Sequence, residues 1–139
     1  MTCSLCDPSL GPVIAESKHW KLILNTNQSL LGKCFLVVRR HIESITDHTT
    51  EEWTDLHSEI CRAIKMINSA FVPDHYNYAF LQNQDPHVHL HILPRYASRR
   101  TFEGVEFEAD FPGPWPARRI LLSDEQNELL AKHIQGFNT

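Results

Sequence analysis

The chain has 139 residues, 42% of them hydrophobic and 22% charged, with a formal net charge of −4 and a pI near 6.1. This length and composition are typical of one soluble globular domain, and the slight negative charge argues against a broad surface for nucleic-acid polymers. There is no run of about 18 apolar residues, so we expect no membrane span. Since the start of the chain also lacks the basic-then-apolar order of a secretory signal, we expect a cytoplasmic protein.

The first half of the chain predicts three short strands and one long helix. Apolar-rich stretches predict strands at Val13–Glu16, Trp20–Leu24 and Cys34–Val38. Thr49 and Glu52 have the spacing of a capping box, in which a hydroxyl and a carboxylate satisfy the first free amides of a helix. Apolar residues then recur at helical spacing from Trp53 to Phe71, which predicts a helix that ends near Ala70.

The second half predicts two more strands, an irregular segment and a final helix. Strands at Tyr76–Gln82 and Val88–Leu93 are joined by so short a connection that they should be antiparallel neighbours. Glycines and prolines make 103–116 an irregular segment or an arm, and a capping box at Ser123 begins the last helix. This order indicates a single α+β domain over residues 1–139, with helices packed against an antiparallel sheet.

His87, His89 and His91 form the most informative pattern in the chain, because they alternate strictly with aliphatic residues. Successive side chains of a strand point to opposite faces of the sheet, so the three imidazoles should share one face. Imidazoles can supply a nucleophile, positive charge and proton donors to a phosphate, or they can bind a metal ion. The pattern therefore predicts a phosphate site or a metal site on this strand.

The run from His87 to Leu93 resembles the signature of the histidine-triad (HIT) superfamily of nucleotide hydrolases and transferases, in which histidines alternate with apolar residues. The resemblance extends to Trp20–Glu43, and Leu93-Pro94-Arg95 is similar to members that cleave dinucleoside polyphosphates. It implies a five-stranded antiparallel half-barrel with one long central helix and one C-terminal helix, assembled as a homodimer. It also implies cleavage at the α-phosphate of dinucleoside polyphosphates or related AMP derivatives, by an enzyme of the diadenosine polyphosphate hydrolase or nucleoside phosphoramidase type.

The same resemblance assigns roles to the triad. The middle histidine of the motif, here His89, is the nucleophile that forms a covalent nucleotidyl-histidine, and His91 contacts the phosphate and assists the leaving group. The role of the first histidine, here His87, varies within the family. The resemblance implies no organic cofactor, and Mg²⁺ would accompany the nucleotide substrate.

A second set of residues is similar to a structural zinc site found in some bacterial members. The matching positions are Cys3, Cys6, His41 and His87. Two thiolates and two imidazoles make a closed tetrahedral zinc site, which is structural rather than catalytic. From the residues alone, the alternatives are free thiols at a frayed terminus and a surface histidine at position 41.

Four further positions carry expectations about the substrate. By resemblance, Asn25 matches a residue that holds the ribose, and Gln82 and Asn83 match polar side chains directed toward the phosphates. The same three residues also suit an ordinary turn or strand end. Two features depart from the family: Lys33 replaces a usual histidine by a mobile cation that we expect at the substrate, and Gln84–Pro86 is short and lacks a hydroxyl.

Three classes of function remain open. The favoured class is the nucleotidyl hydrolase or transferase, with a nucleotide as its small-molecule partner. The others are a metal-dependent enzyme in which the triad histidines hold zinc or iron, and a nucleotide-binding module with little turnover. Arg95, Arg99 and Arg100 either contribute to binding of distal phosphates or form a solvated basic face.

Overall fold

The computed structural model describes residues 3–6 and 10–138. The elements are β1 Val13–Glu16, β2 Trp20–Leu24, β3 Cys34–Val38, α1 Thr50–Phe71, β4 His75–Ala79, β5 His89–Arg95, β6 Arg100–Phe102, β7 Val105–Phe107 and α2 Asp124–Gln135. The centre of the fold is a five-stranded antiparallel sheet in the order β1-β2-β3-β5-β4, accompanied by a two-stranded hairpin, β6-β7. Short 3₁₀ turns lie at Ser4–Cys6 and Ile45–Asp47. The predicted α+β class is confirmed.

The predicted strands differ from the observed ones at the two strands around the triad. β4 is His75–Ala79, whereas the predicted strand is Tyr76–Gln82. Gln82 has a φ of 50°, so the chain has left the extended conformation of a strand by that residue. β5 is His89–Arg95, whereas the predicted strand is Val88–Leu93, so the observed strand begins one residue later and continues through Pro94. A proline is tolerated here because the pairing of β3 with β5 ends at Ile92, so no bond to β3 is lost.

One face of the sheet carries the main core and is covered by both helices. Trp20 is fully buried there, and its indole N–H donates to the Glu52 carbonyl at 2.9 Å. The capping box at Thr49 is present, and Arg40 lies 2.9 Å from the Glu52 carboxylate. Hydrogen bonding to Arg40 lowers the pKa of Glu52 to about 2. The Glu52 carboxylate therefore remains ionised at neutral pH and continues to cap the start of α1. The helices therefore hold the sheet from one side and leave its other face free for a site.

The segment 103–116 begins with the turn and the second strand of a hairpin. β6 and β7 are joined by Glu103 and Gly104, whose φ values of 48° and 77° are the pair of positive angles that a type I′ hairpin turn requires. The expectation of irregular structure was therefore wrong for Val105–Phe107. Residues 108–116 form neither helix nor strand.

Arg95 holds this irregular segment against the sheet. It is only 3% exposed, and its guanidinium donates to Asp110 Oδ1 and Asn77 Oδ1, both at 2.7 Å. It also donates to the main-chain carbonyls of Asp110, Gly113 and Pro114. Both alternatives from the sequence, phosphate binding and a solvated basic face, were wrong for this residue, because its partner lies too far along the chain to give a local signal.

We expect Arg95→Met to lower the free energy of unfolding by about 3–5 kcal/mol, because it leaves the Asp110 carboxylate buried without its main partner. Urea unfolding would measure the change. Arg99→Met is the matched control: Arg99 is exposed and pairs with the exposed Glu106 and Glu108, so its loss should cost less than about 1 kcal/mol. Equal effects of the two substitutions would contradict the anchoring role of Arg95.

Candidate active site

His89 and His91 lie on the face of the sheet that the helices leave free, whereas His87 precedes β5. In the register of β3 and β5, His89 is opposite Val37 and His91 is opposite Phe35. Side chains of directly paired residues lie on the same face of a sheet. His89 and His91 are two residues apart on β5, so their side chains also share that face. The structure therefore brings His89 and His91 together, with ring centroids 4.7 Å apart.

His89 is held in one tautomer. Its Nδ1 lies 2.7 Å from the main-chain carbonyl oxygen of His87, and a carbonyl can only accept a hydrogen bond. Nδ1 therefore carries the hydrogen, and in the neutral ring the lone pair is on Nε2. The ring is buried but lines a cavity, so a nucleophilic nitrogen is oriented and accessible to a ligand.

His91 is neutral at physiological pH. Burial, with smaller contributions from the charges of His89 and Lys33, lowers the pKa of His91 to about 4. Among the described residues its buried Nδ1 has no hydrogen-bond partner. His91 can therefore offer a ring N–H to an oxygen on which charge develops, but it does not supply a positive charge of its own.

A cavity of about 360 Å³ opens in front of the two histidines. This volume falls within the range of small-molecule sites. Its lining combines polar residues from the loop before β5 with apolar residues from β3 and the N-terminal segment. The lining residues are Leu5, Leu10, Asn25, Thr26, Phe35, Leu81, Gln82, Asn83, Gln84, Asp85, His89 and His91.

Three of the four residues expected at the substrate line this cavity. Asn25 does so while its Oδ1 accepts the Asn27 main-chain N–H at 2.9 Å, so it forms a turn as well. The amide of Gln82 donates to two main-chain carbonyls of the neighbouring loops, at 2.7 and 2.8 Å, and Asn83 follows it in the lining. Lys33 is instead buried beside the cavity.

The sequence did not indicate an apolar wall made by the N-terminal segment. Leu5 lies between the two cysteines and packs with Ile23, Phe35 and Val37 in a small cluster on the triad face. Ser4 in the same turn donates a hydrogen bond to the Asp85 carboxylate, which lines the cavity. The signal in the sequence that could have indicated this wall is the leucine between Cys3 and Cys6. Only the fold shows that it reaches the cavity.

The four residues expected to bind zinc come together. Their potential ligand atoms all lie within 4.8 Å of one another. Nδ1 of His87 lies 3.4 Å from Cys3 Sγ, 3.5 Å from Cys6 Sγ and 3.1 Å from His41 Nδ1, and Cys6 Sγ lies 3.4 Å from His41 Nδ1. Ligand atoms at zinc distances of about 2.3 Å for sulfur and 2.0 Å for nitrogen would be about 3.3–3.8 Å apart in a tetrahedron. This cluster, which we call the Cys2His2 cluster, fits a small tetrahedral metal ion.

His87 belongs to the Cys2His2 cluster and not to the cavity. Its Nε2 lies 2.6 Å from the Val38 carbonyl, so Nε2 carries the hydrogen and the lone pair of Nδ1 faces both sulfurs. Burial lowers the pKa of His87, which favours the neutral form that a metal ligand needs. The ring was expected among the catalytic groups, but what this residue offers His89 is its main-chain carbonyl.

The geometry argues against a metal held jointly by the three triad histidines. Both ring nitrogens of His87 are directed at groups other than the cavity. In addition, Nδ1 of His89 is engaged with a carbonyl. The metal-dependent alternative from the sequence would need three imidazole lone pairs that converge on one point, and His87 does not contribute one.

Comparisons with known proteins identify the family of this chain. A model of the HIT domain matches residues 11–98, which is more than half of the chain, and the protein therefore belongs to the HIT domain family. None of the curated proteins compared with the chain matches it. Within the described residues, no helix combines the length and apolar character needed to cross a membrane.

Several solved structures have the same fold. A histidine triad protein from Bradyrhizobium japonicum is 19% identical, with 94% of this chain and 92% of that chain covered and a TM-score of 0.74. A hypothetical histidine triad nucleotide-binding protein from Sulfolobus tokodaii is 21% identical, with coverages of 97% and 91% and a TM-score of 0.71. A Zn-bound histidine triad family protein from Mycobacterium smegmatis is 20% identical, with coverages of 98% and 95% and a TM-score of 0.62. At these identities the likeness shows the fold alone.

Proposed function

We propose that this protein is a nucleotidyl hydrolase or transferase that cleaves at the α-phosphate of dinucleoside polyphosphates or related AMP derivatives, with His89 as its nucleophile. The observation that carries the proposal is the hydrogen bond from His89 Nδ1 to the His87 carbonyl, at 2.7 Å. It fixes the tautomer and directs the Nε2 lone pair into a cavity of suitable size. Membership in the HIT domain family supports the same class of reaction.

In the proposed reaction, Nε2 of His89 attacks the α-phosphorus. A phosphorus–nitrogen bond forms as the bond to the leaving group breaks. The His87 carbonyl stabilises the positive charge that develops on the His89 ring, because it accepts the Nδ1 hydrogen. His91 donates a ring N–H to the phosphoryl or leaving oxygens. Water then attacks the phosphorus, releases the nucleotide and restores His89.

The apolar and polar residues of the cavity lining suit two different parts of the substrate. We propose that the nucleoside packs on Leu5 and Phe35, with Asn25 near the ribose, while Gln82 and Asn83 lie toward the phosphates. Mg²⁺ would enter with the polyphosphate and neutralise part of its charge. No organic cofactor is needed for this chemistry, because the imidazoles supply both the nucleophile and the donors.

The deciding experiment is mass spectrometry of the protein mixed with diadenosine tetraphosphate and quenched rapidly. We expect an adenylate on the peptide that contains His89. A nucleotide-binding module would bind the nucleotide without forming this adduct. An adduct on another residue would contradict the proposed nucleophile. Turnover that a chelator abolishes, and that zinc but not magnesium restores while the fold stays intact, would contradict the proposed mechanism.

We also propose that the Cys2His2 cluster binds one structural Zn²⁺. The distances within the cluster and its chemistry, two thiols and two neutral imidazoles, support a closed four-coordinate site. The Zn-bound protein from Mycobacterium smegmatis shares the fold. Thiols that must stay reduced to bind zinc suit the cytoplasmic location that we propose for the protein.

A third proposal is that the protein forms a homodimer through β4 and α1. β4 is an edge strand, so one side of its backbone has no strand partner within the described sheet. Tyr78 on this strand is 51% exposed and Trp53 on α1 is 42% exposed. A shallow groove beside Tyr78 is lined by apolar residues of α1 such as Ile60 and Ile64. Exposed apolar groups next to an open strand edge favour a second copy of the chain as the partner.

We expect Tyr78→Glu to halve the molecular mass measured by sedimentation equilibrium, because a buried unpaired charge at the interface opposes association. Leu121→Glu is the control, since Leu121 is 61% exposed and lies outside this surface. A dimeric Tyr78→Glu protein, or a wild-type protein that is monomeric at micromolar concentration, would contradict the proposed interface.

A further inference from the structure

Lys33 is a buried cation that has no acidic partner in the part of the chain that the structure describes. The residue is 8% exposed, and its ammonium donates a long hydrogen bond, at 3.4 Å, to Ser29 Oγ. No carboxylate of the described residues forms an ion pair with it. Burial without a compensating anion lowers the pKa of Lys33. Buried charges are normally paired, so the ammonium lacks the anion that would stabilise it in place.

The position of Lys33 places this charge beside the phosphate site. It precedes β3 by one residue, and the strand register puts Phe35 opposite His91 and Cys34 opposite Ile92. By alternation, Lys33 lies on the face that carries Phe35 and the triad. Its carbonyl accepts the main-chain N–H of Asn25 at 3.1 Å, so the backbone is fixed. Two residues that line the cavity, Asn25 and His91, therefore flank the lysine.

The charge of Lys33 contributes to the lowered pKa of His91. This lowered pKa leaves the ring neutral at physiological pH. Lys33, and not His91, is therefore the group at this end of the site that can bring a positive charge. Along the sheet the groups follow in the order His89, His91 and Lys33, so a substrate held at His89 by its α-phosphate would extend its leaving group past His91 toward the ammonium.

We propose that Lys33 is a specificity-determining residue that binds an anionic leaving group, so that the enzyme prefers AMP joined to phosphate over AMP joined to an amine. This inference rests on the proposed function, because it assumes that the α-phosphate is attacked by His89. The long flexible stem of lysine lets the ammonium move from Ser29 to the ligand. A phosphate oxygen then supplies the missing partner, whereas a neutral or cationic amine leaves the ammonium unpaired or repels it.

The test compares kcat/KM for diadenosine tetraphosphate and for an adenosine phosphoramidate in wild type, Lys33→Met and Lys33→Arg. We expect Lys33→Met to lower kcat/KM for the polyphosphate by about 100-fold, and for the phosphoramidate by less than about threefold. Lys33→Arg keeps the charge and should keep most of the preference. Equal losses with both substrates, or no loss with either, would overturn the proposal.

Binding of inorganic tripolyphosphate, measured by calorimetry in the His89→Ala background, separates this inference from the proposed function. Lys33→Met should weaken that binding at least tenfold, whether or not His89 is the nucleophile. The melting temperature should not fall, because the substitution removes a buried unpaired charge. Unchanged tripolyphosphate binding would overturn the role of Lys33 even if the adenylate on His89 is found. If Lys33→Met weakens tripolyphosphate binding but no adenylate forms on His89, the anion site at Lys33 is supported and the proposed reaction is contradicted.

Discussion

Replacing His89 with glycine should reduce turnover by about 10⁴-fold or more while nucleotide binding remains measurable. The loss is large because the substitution removes the atom that forms the covalent bond, and His91 cannot take its place. The lowered pKa of His91, about 4, leaves its ring neutral. Its Nδ1 is buried, however, and no carbonyl of the described residues orients it. Steady-state kinetics with diadenosine tetraphosphate and calorimetry with AMP would measure the two quantities.

The control for this experiment is His57→Ala, because His57 is an exposed histidine on α1, far from the triad in sequence and outside the cavity lining. It should leave kcat and KM unchanged. His91→Ala should have an intermediate effect, since its N–H only stabilises charge that develops elsewhere. Activity of His89→Gly within about tenfold of wild type would remove His89 from the mechanism.

The sequence predicted the centre of the site better than its surroundings. Side chains two residues apart in a strand lie on the same face of the sheet. The shared face of His89 and His91 therefore followed directly from their spacing in the sequence. The first three strands were predicted with their observed bounds, because each is a run of apolar residues between clear turn residues. The second half of the chain offered fewer such boundaries.

What could not be predicted depends on contacts between distant residues. Arg95 and Asp110 are 15 positions apart, and neither residue carries a local signal of burial. Whether the ring of His87 faces the cavity or the cysteines depends on the Val38 carbonyl, a main-chain group that no sequence pattern reports. The orientation of a side chain within a known face is therefore the part of the site that only the fold provides.

The second large effect concerns the Cys2His2 cluster. If it holds one Zn²⁺, the purified protein should contain about one equivalent per chain, and Cys3→Ser should lose the metal. Binding to the native state adds its free energy to folding, about 4 kcal/mol when free metal exceeds the dissociation constant a thousandfold. The mutant should therefore melt several degrees earlier. Elemental analysis and thermal unfolding would measure both effects. Cys61→Ser is the control for metal content, because Cys61 is an exposed thiol outside the cluster.

The kinetic consequence of losing this metal follows from how the N-terminal turn joins the cavity. Leu5 packs on Phe35, and Ser4 is bonded to Asp85, so release of Cys3 should loosen the apolar wall and raise KM. The carbonyl of His87 still orients the His89 ring, and kcat per folded molecule should stay within about threefold of wild type. A metal-free wild type with the melting temperature of the mutant would show that Cys3 and Cys6 are plain thiols. A mutant that melts normally but loses all turnover would instead place the turn in the catalytic step itself.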